Sequence, residues 1–113
     1  MAIPSGSGTE VLKRITLHGN NNTTTEIFSG TALHIYTIIS IIFCDKSGAA
    51  GTINFRMNDG SNEIYLLGDT AHGADETFVW NDRFVLEEDD DLDVYNSVTN
   101  GDWYVTYIDQ DWT

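Results

Sequence analysis

The chain has 113 residues, 41% of them hydrophobic and 12% aromatic, a globular composition with room for a single domain. Five basic residues against eighteen acidic ones give a formal net charge of −13, which argues against a DNA or RNA partner, since that requires a basic stripe, and against anionic lipid for the same reason. Cys44 is the one cysteine, so no internal disulfide forms and no oxidising compartment is implied.

Residues 1–8 (MAIPSGSG) carry turn formers and no hydrophobic period, and read as an N-terminal arm ahead of a domain spanning 9–113. The segment lacks a charged region followed by an apolar one, so export by a signal peptide is not expected. From Thr9 onward Val11, Lys13, Ile15 and Leu17 alternate with Leu12, Arg14, Thr16 and His18. A helix competes here, because Val11, Leu12 and Ile15 also fit helical spacing, but the β-branched residues and the want of an acidic first turn favour a strand. GNNNTTT (19–25) reads as a loop and 26–28 as a short strand.

A long strand is predicted over 32–44, and its core, HIYTIISIIFC (34–44), is unusual. Strict alternation places Ile35, Thr37, Ile39, Ile41 and Phe43 on one face and Tyr36, Ile38, Ile42 and Cys44 on the other, broken only by His34 and Ser40. A strand of a two-layer sandwich has one inner and one outer face, yet both faces here are apolar. The run is too short to span a bilayer and holds Thr37 and Ser40.

Strands follow at 52–58 and 63–67, joined by a hairpin turn through Asn58, Asp59, Gly60 and Ser61. GDTAHGAD (68–75) reads as a loop. Short strands at 76–80 and 83–86 are interrupted at Asn81 and Asp82, and further strands are expected at 92–95 and 102–108, with a turn at 97–101. Eight or nine short strands without a helix predict an all-β, single-domain antiparallel β-sandwich of jelly-roll-like topology.

Chemistry-bearing motifs are scarce. In the acidic run LEEDDDLDVYN (86–96), Asp89, Asp91 and Asp93 have the first spacing of an EF-hand loop, but Val94 stands where Gly is needed and Asn100 where Glu is needed. The run therefore reads as a solvated bend, with Leu92 and Val94 turned inward and Asp93 and Tyr95 outward. His18, His34 and His72 have no metal-ligand spacing, no G-x-S-x-G or phosphate-binding Gly-rich motif occurs, and Cys44 at the end of an apolar strand reads as a buried thiol. No enzyme, cofactor or metal is expected. Trp80, Trp103, Tyr104, Tyr107 and Trp112 could form a sugar-stacking platform, although Val105 between Trp103 and Tyr107 makes their face look like core.

Apolar surface in excess of a two-layer core calls for a partner. The expected contact residues are Ile38 and Ile42 on the second face of the long strand, Trp112 in the tail, and Met1, Ala2, Ile3, Pro4, Ser5, Gly6 and Ser7 of the arm.

MAIPSGSGTEVLKR, LHIYTIISIIFCD, EIYLLG, ETFVWNDRFVLEEDDDLDVY and YIDQDWT together resemble small virion structural proteins of tailed bacteriophages. The strand–turn pattern F-x-L-E-x-x-D-x-L-x-V and a closing V-x-Y-I-x strand carry the likeness. It implies a non-enzymatic β-sandwich subunit that decorates or cements the head, partnered by other copies of itself and the major capsid protein. The alternative it leaves open is a tail, neck or fibre module that binds a receptor or glycan.

Overall fold

The computed structural model describes residues 9–113; the arm expected at 1–8 lies outside the described residues. Nine strands follow one another: β1 (Thr9–Asn20), β2 (Thr23–Ser29), β3 (His34–Asp45), β4 (Gly51–Asn58), β5 (Glu63–His72), β6 (Thr77–Trp80), β7 (Phe84–Leu86), β8 (Asp91–Asn96) and β9 (Gly101–Asp111). One antiparallel sheet has the order β1-β9-β3-β6, with β7 also paired to β3; the other has the order β2-β8-β4-β5. With β6 and β7 counted as one strand broken at 81–83, these are the eight positions of a jelly roll.

The helical alternative for the first element is excluded by its partner, since β1 pairs with β9 from Thr9↔Asp111 to Leu17↔Trp103. Three elements are markedly longer than the sequence suggests. β2 begins at Thr23, β9 runs on to Asp111, and β5 continues through Gly68 to His72, where the sequence suggests a loop. The extra length of β5 is accommodated by two register shifts against β4, which leave two residues of β5 unmatched around Leu66 and Gly68. Bulges of this kind blunt an edge strand against pairing with another chain.

The core lies between the sheets and comprises Phe28, Tyr36, Ile38, Ile41, Phe43, Ile53, Phe55, Leu86, Leu92, Val94, Trp103, Val105 and Tyr107. Trp103 packs 4.8 Å from Phe43 and edge-on to Phe55 at 6.5 Å, while Phe28 packs edge-on to Tyr36 and Tyr107 at 4.5 and 5.5 Å. Geometries of this kind add to the stabilisation from area burial alone.

The face assignment from strict alternation in β3 requires correction. Ile38 pairs with Tyr107 and Ser40 with Thr106, so Ile39 is an extra residue that shifts the phase of the strand. Ile38 and Ile41, three residues apart, both point inward with no exposed surface, together with Tyr36 and Phe43. Ile38 is thus a core residue and offers nothing to a neighbour. Ile35, Thr37, Ile42 and Cys44 are left on the outer face.

Candidate functional site

The two outer faces of the sandwich differ in kind. On the second sheet, strand register aligns Glu26, Asp93, Arg56 and Tyr65 in one row and Thr24, Tyr95 and Asn54 in another. Arg56 organises this face: it donates to Glu63, Asn54, Tyr65 and Thr24 at 3.1–3.3 Å. The negative charge of Asp91 and then burial push the Glu26 carboxyl above its usual range. Burial does the same to Asp93 against the opposing pull of Arg56. This face is polar, charged and built for water.

The outer face of the first sheet carries two largely apolar rows, with a polar row of Arg14, Thr106 and Ser40 between them. One row across β1, β9, β3 and β7 consists of Leu12, Ile108, Thr37 and Val85. A second across β1, β9, β3 and β6 consists of Thr16, Tyr104, Ile42 and Val79. Leu12 is 67% exposed, Val85 52%, Val79 50% and Tyr104 39%, high values for large apolar side chains standing side by side on one sheet. Arg14 lies over the Tyr104 ring, 5.9 Å from its centre. A hollow of about 300 Å³ opens on this face, lined by Thr16, Leu17, His18, Ile42, Cys44, Asp102, Trp103 and Tyr104.

Cys44 is half-buried in that hollow instead of lying in the core, because the bulge at Ile39 turns it outward. Asp102 pairs with Cys44 in register and stands between it and His18, whose Nδ1 is 3.1 Å from the Asp102 carboxylate. The Cys44 and His18 backbones are therefore about two strand spacings apart, roughly 10 Å, and the imidazole's hydrogen bond goes to Asp102, which stands between them. The Lys46 ammonium 2.8 Å away, with the Gly19 N–H, holds Asp102 below the usual carboxylate range despite partial burial. Among the described residues, no group of three or more His, Cys, Asp or Glu side chains is placed to share a metal ion.

The remaining sequence candidates are dispersed. Trp103 and Tyr107 are in the core, Trp80 packs edge-on against Phe55 at 5.1 Å, and Tyr104 is on the opposite side of the sheet, so no shared stacking platform forms from them. Trp112 is half-buried beyond β9, its backbone N–H donating to the Leu33 carbonyl at 3.0 Å. His34, half-buried and stacked on Tyr36, bonds Asp109 at 2.7 Å, and Lys13 reaches the same carboxylate at 2.8 Å. His72, expected in a loop, is buried against Phe43.

Sequence reasoning missed two features of this region. In the sequence Val79 and Val85 are only members of two short strands, and their shared outward orientation depends on a long-range pairing with β3. The acidic bend is more than a solvated turn. Asp90 is buried, accepts from the Glu87 N–H at 2.7 Å, and receives the Gly30 N–H on its backbone carbonyl at 2.9 Å.

No family model matches the chain, and neither does any curated protein. Solved structures do share its architecture. A chain of the disulfide-linked pili of Bacillus endospore appendages superposes with a TM-score of 0.52 at 15% identity, covering 96% of this chain and 93% of the other. A chain of infectious bursal disease virus, Gx strain, gives 0.52 at 8% identity over 93% of this chain, and the Gt strain gives 0.50 at 8% identity over 96%. This chain spans about a third of those two viral chains, 33% and 32% respectively. The likeness is one of fold. No helix among the described residues is long and apolar enough to cross a membrane.

Proposed function

We propose that this chain is a non-enzymatic structural subunit of a virion, a decoration or cement protein on the head of a tailed bacteriophage. The observation that carries the reading is the outer face of the first sheet, where Leu12, Ile108 and Val85 on one side of a row of Arg14, Thr106 and Ser40, and Tyr104, Ile42 and Val79 on the other, present large apolar side chains on a chain with no helix among its described residues to cover them. A subunit of this kind must fold alone, stay soluble and add interface area where other subunits meet. A charge of −13 keeps it soluble before docking and off packaged nucleic acid. The jelly-roll architecture, shared with chains of a virus and of a pilus, suits such use, and the sequence resemblance to phage virion proteins agrees with it.

Partners in this reading are other copies of the chain and the major capsid protein. Ile42 contributes to the apolar face, while Trp112 and the arm (Met1 to Ser7) supply further contacts. Quantitative mass spectrometry of purified particles tests the reading. A copy number comparable to that of the major capsid protein is expected. A few copies per particle would shift the role to neck or tail, and absence from particles would overturn it.

A further inference from the structure

We propose that the occupant of the apolar face is a second copy of this chain, stacked through the first sheet about a two-fold axis that runs parallel to the strands between β9 and β3. The proposal rests on reading this face as a docking surface, and it assigns the face to one of the two partners named above and gives the symmetry of the contact. Three features point to self-pairing.

Charge is the first. Strand register places only two of the eighteen carboxylates on this face, Glu10 at one corner and Asp102. Glu10 accepts from Gln110 at 2.8 Å, and Asp102 is neutralised by Lys46 at 2.8 Å. The face is close to neutral on a molecule of charge −13, so it is the surface that another acidic copy can approach without local repulsion. The second sheet, with Glu26, Asp91, Asp93 and Glu63, is not.

The second is self-complementarity. The axis reverses each row upon itself, as an isologous contact requires. Leu12 of one copy meets Val85 of the other, and Ile108 meets Thr37. In the next row on this face Thr106 meets Ser40 and Arg14 faces the break at 81–83, and in the row beyond it Tyr104 meets Ile42 and Val79 closes over Thr16. The most exposed apolar side chain at the β1 edge thus meets the exposed valine at the β7 edge, and sheets stacked with nearly aligned strands are a common packing mode.

The third is area. Four strands at about 4.8 Å spacing and about 25 Å of strand length give a footprint on the order of 500 Å² per copy. The total of about 1,000 Å² sits at the lower bound for a specific interface. A reversible dimer of modest affinity follows, strengthened by salt because screening reduces the repulsion between two acidic bodies.

Sedimentation equilibrium of the full chain, loaded from about 5 to about 500 µM to bracket the affinity of so small an interface, tests this directly. The expected result is a mass rising from 12.6 kDa towards twice that value, more readily in high salt. Alkylation of Cys44, which lies inside the footprint, should slow over the same range. Leu12→Glu and Val85→Glu each place an unpaired carboxylate in the contact and should hold the mass at 12.6 kDa with an unchanged circular dichroism spectrum. Thr24→Glu adds the same charge to the opposite face and should leave the dimer intact. A monomer at every concentration, or a dimer indifferent to both face variants, overturns the proposal. Were the monomeric chain still present on particles at capsid-like copy number, self-pairing would fall and the structural role would stand.

Discussion

Asn96 has no exposed surface, and its amide donates to the backbone carbonyls of Asn20 and Val98 at 3.2 and 3.0 Å. Asn20 in turn accepts the Trp103 indole N–H at 3.2 Å and donates to the Thr23 carbonyl. These two asparagines tie the β1–β2 turn to the end of β8 and to the largest core side chain. Nothing in the sequence distinguishes them from the other asparagines of GNNNTTT and YNSVTN, because their roles depend on contacts 76 and 83 residues away. Asn20→Ala strands the buried indole N–H and should cost about 1–3 kcal/mol in urea unfolding; Trp103→Phe in the same background should recover part of that loss. Asp45 works similarly at the end of β3. Burial raises its carboxyl, but bonds from the Ser47 hydroxyl and N–H and from the Asp75 N–H outweigh burial and hold it below the usual value. Asp109 is likewise raised by burial and held low overall by Lys13 and His34. A carboxyl depressed by folding stabilises the protein above its unfolded value near 3.9, and that contribution is lost as pH falls through the lower folded value. Glu26 and Asp93 have raised values, so their effect has the opposite sign: the stability they contribute is present in acid and lost as pH rises through the folded value. The urea midpoint should therefore rise slightly from neutral pH towards the carboxylate range and fall steeply below it. Asp45→Asn should lower the neutral midpoint and flatten the acid limb; an acid limb as steep as the parent's would remove Asp45 from this account.

At the scale of the element, β3 shows what sequence carries and what it omits. Its strand character, its length to within two residues and its excess of apolar side chains were all legible in HIYTIISIIFC. The phase was not, because a bulge is set by pairing with β9 and leaves no local signal in a run where both faces are apolar. The error fell on the residues that matter for contact, placing Ile38 outside with Ile42 when it lies inside with Ile41. Alanine substitution separates the two positions. Ile38→Ala should cost about 2–5 kcal/mol through the cavity it leaves, whereas Ile42→Ala in the monomer should cost less than about 1.5 kcal/mol; equal costs would contradict the phase shift. Deleting Ile39 should be far worse than Ile39→Ala, since removal of the extra residue would turn Phe43 and Ile41 outward and bring Cys44 and Ile42 in. The β2–β3 connection offers a second case. A Cβ on Gly30 would lie 2.2 Å from the Glu87 carbonyl oxygen and 2.9 Å from that of Glu88. Both are backbone atoms of the acidic turn, and the turn is itself held by Asp90. Gly30→Ala should accordingly destabilise by about 2 kcal/mol or more in chemical unfolding, even though a glycine between two strands, read from sequence, is only a turn former.

Across the whole molecule, the two outer faces differ in charge although the two sheets do not differ in acidic content. Eight of the eighteen carboxylates lie in connections and five on the strands of each sheet, but on the first sheet strand register turns only Glu10 and Asp102 to the outer face, which presents large apolar side chains instead. Overall charge was readable from composition, and so was the surplus of apolar surface; the segregation was not, since it follows from which strands share a sheet. The sorting has a measurable consequence for the isolated chain. Basic residues number five, and three of them are already committed to ion pairs, Lys13 to Asp109, Lys46 to Asp102 and Arg56 to Glu63. Most of the eighteen carboxylates therefore face one another across distances near the Debye length, which is about 10 Å at 0.1 M salt and about 30 Å at 0.01 M. Self-repulsion of that kind opposes the compact state and is relieved by screening. Thermal unfolding at low protein concentration, where the chain is monomeric, should move to higher temperature as sodium chloride is raised from about 0.01 to about 0.3 M. Most of the gain should come below about 0.1 M, because further salt also weakens the three ion pairs. The variant Glu26→Gln, which removes one member of the crowded group beside Asp91 and Asp93, should melt higher than the parent in low salt and converge with it in high salt. A melting temperature independent of salt in both proteins would mean that the carboxylates are balanced locally and that self-repulsion does not oppose the compact state.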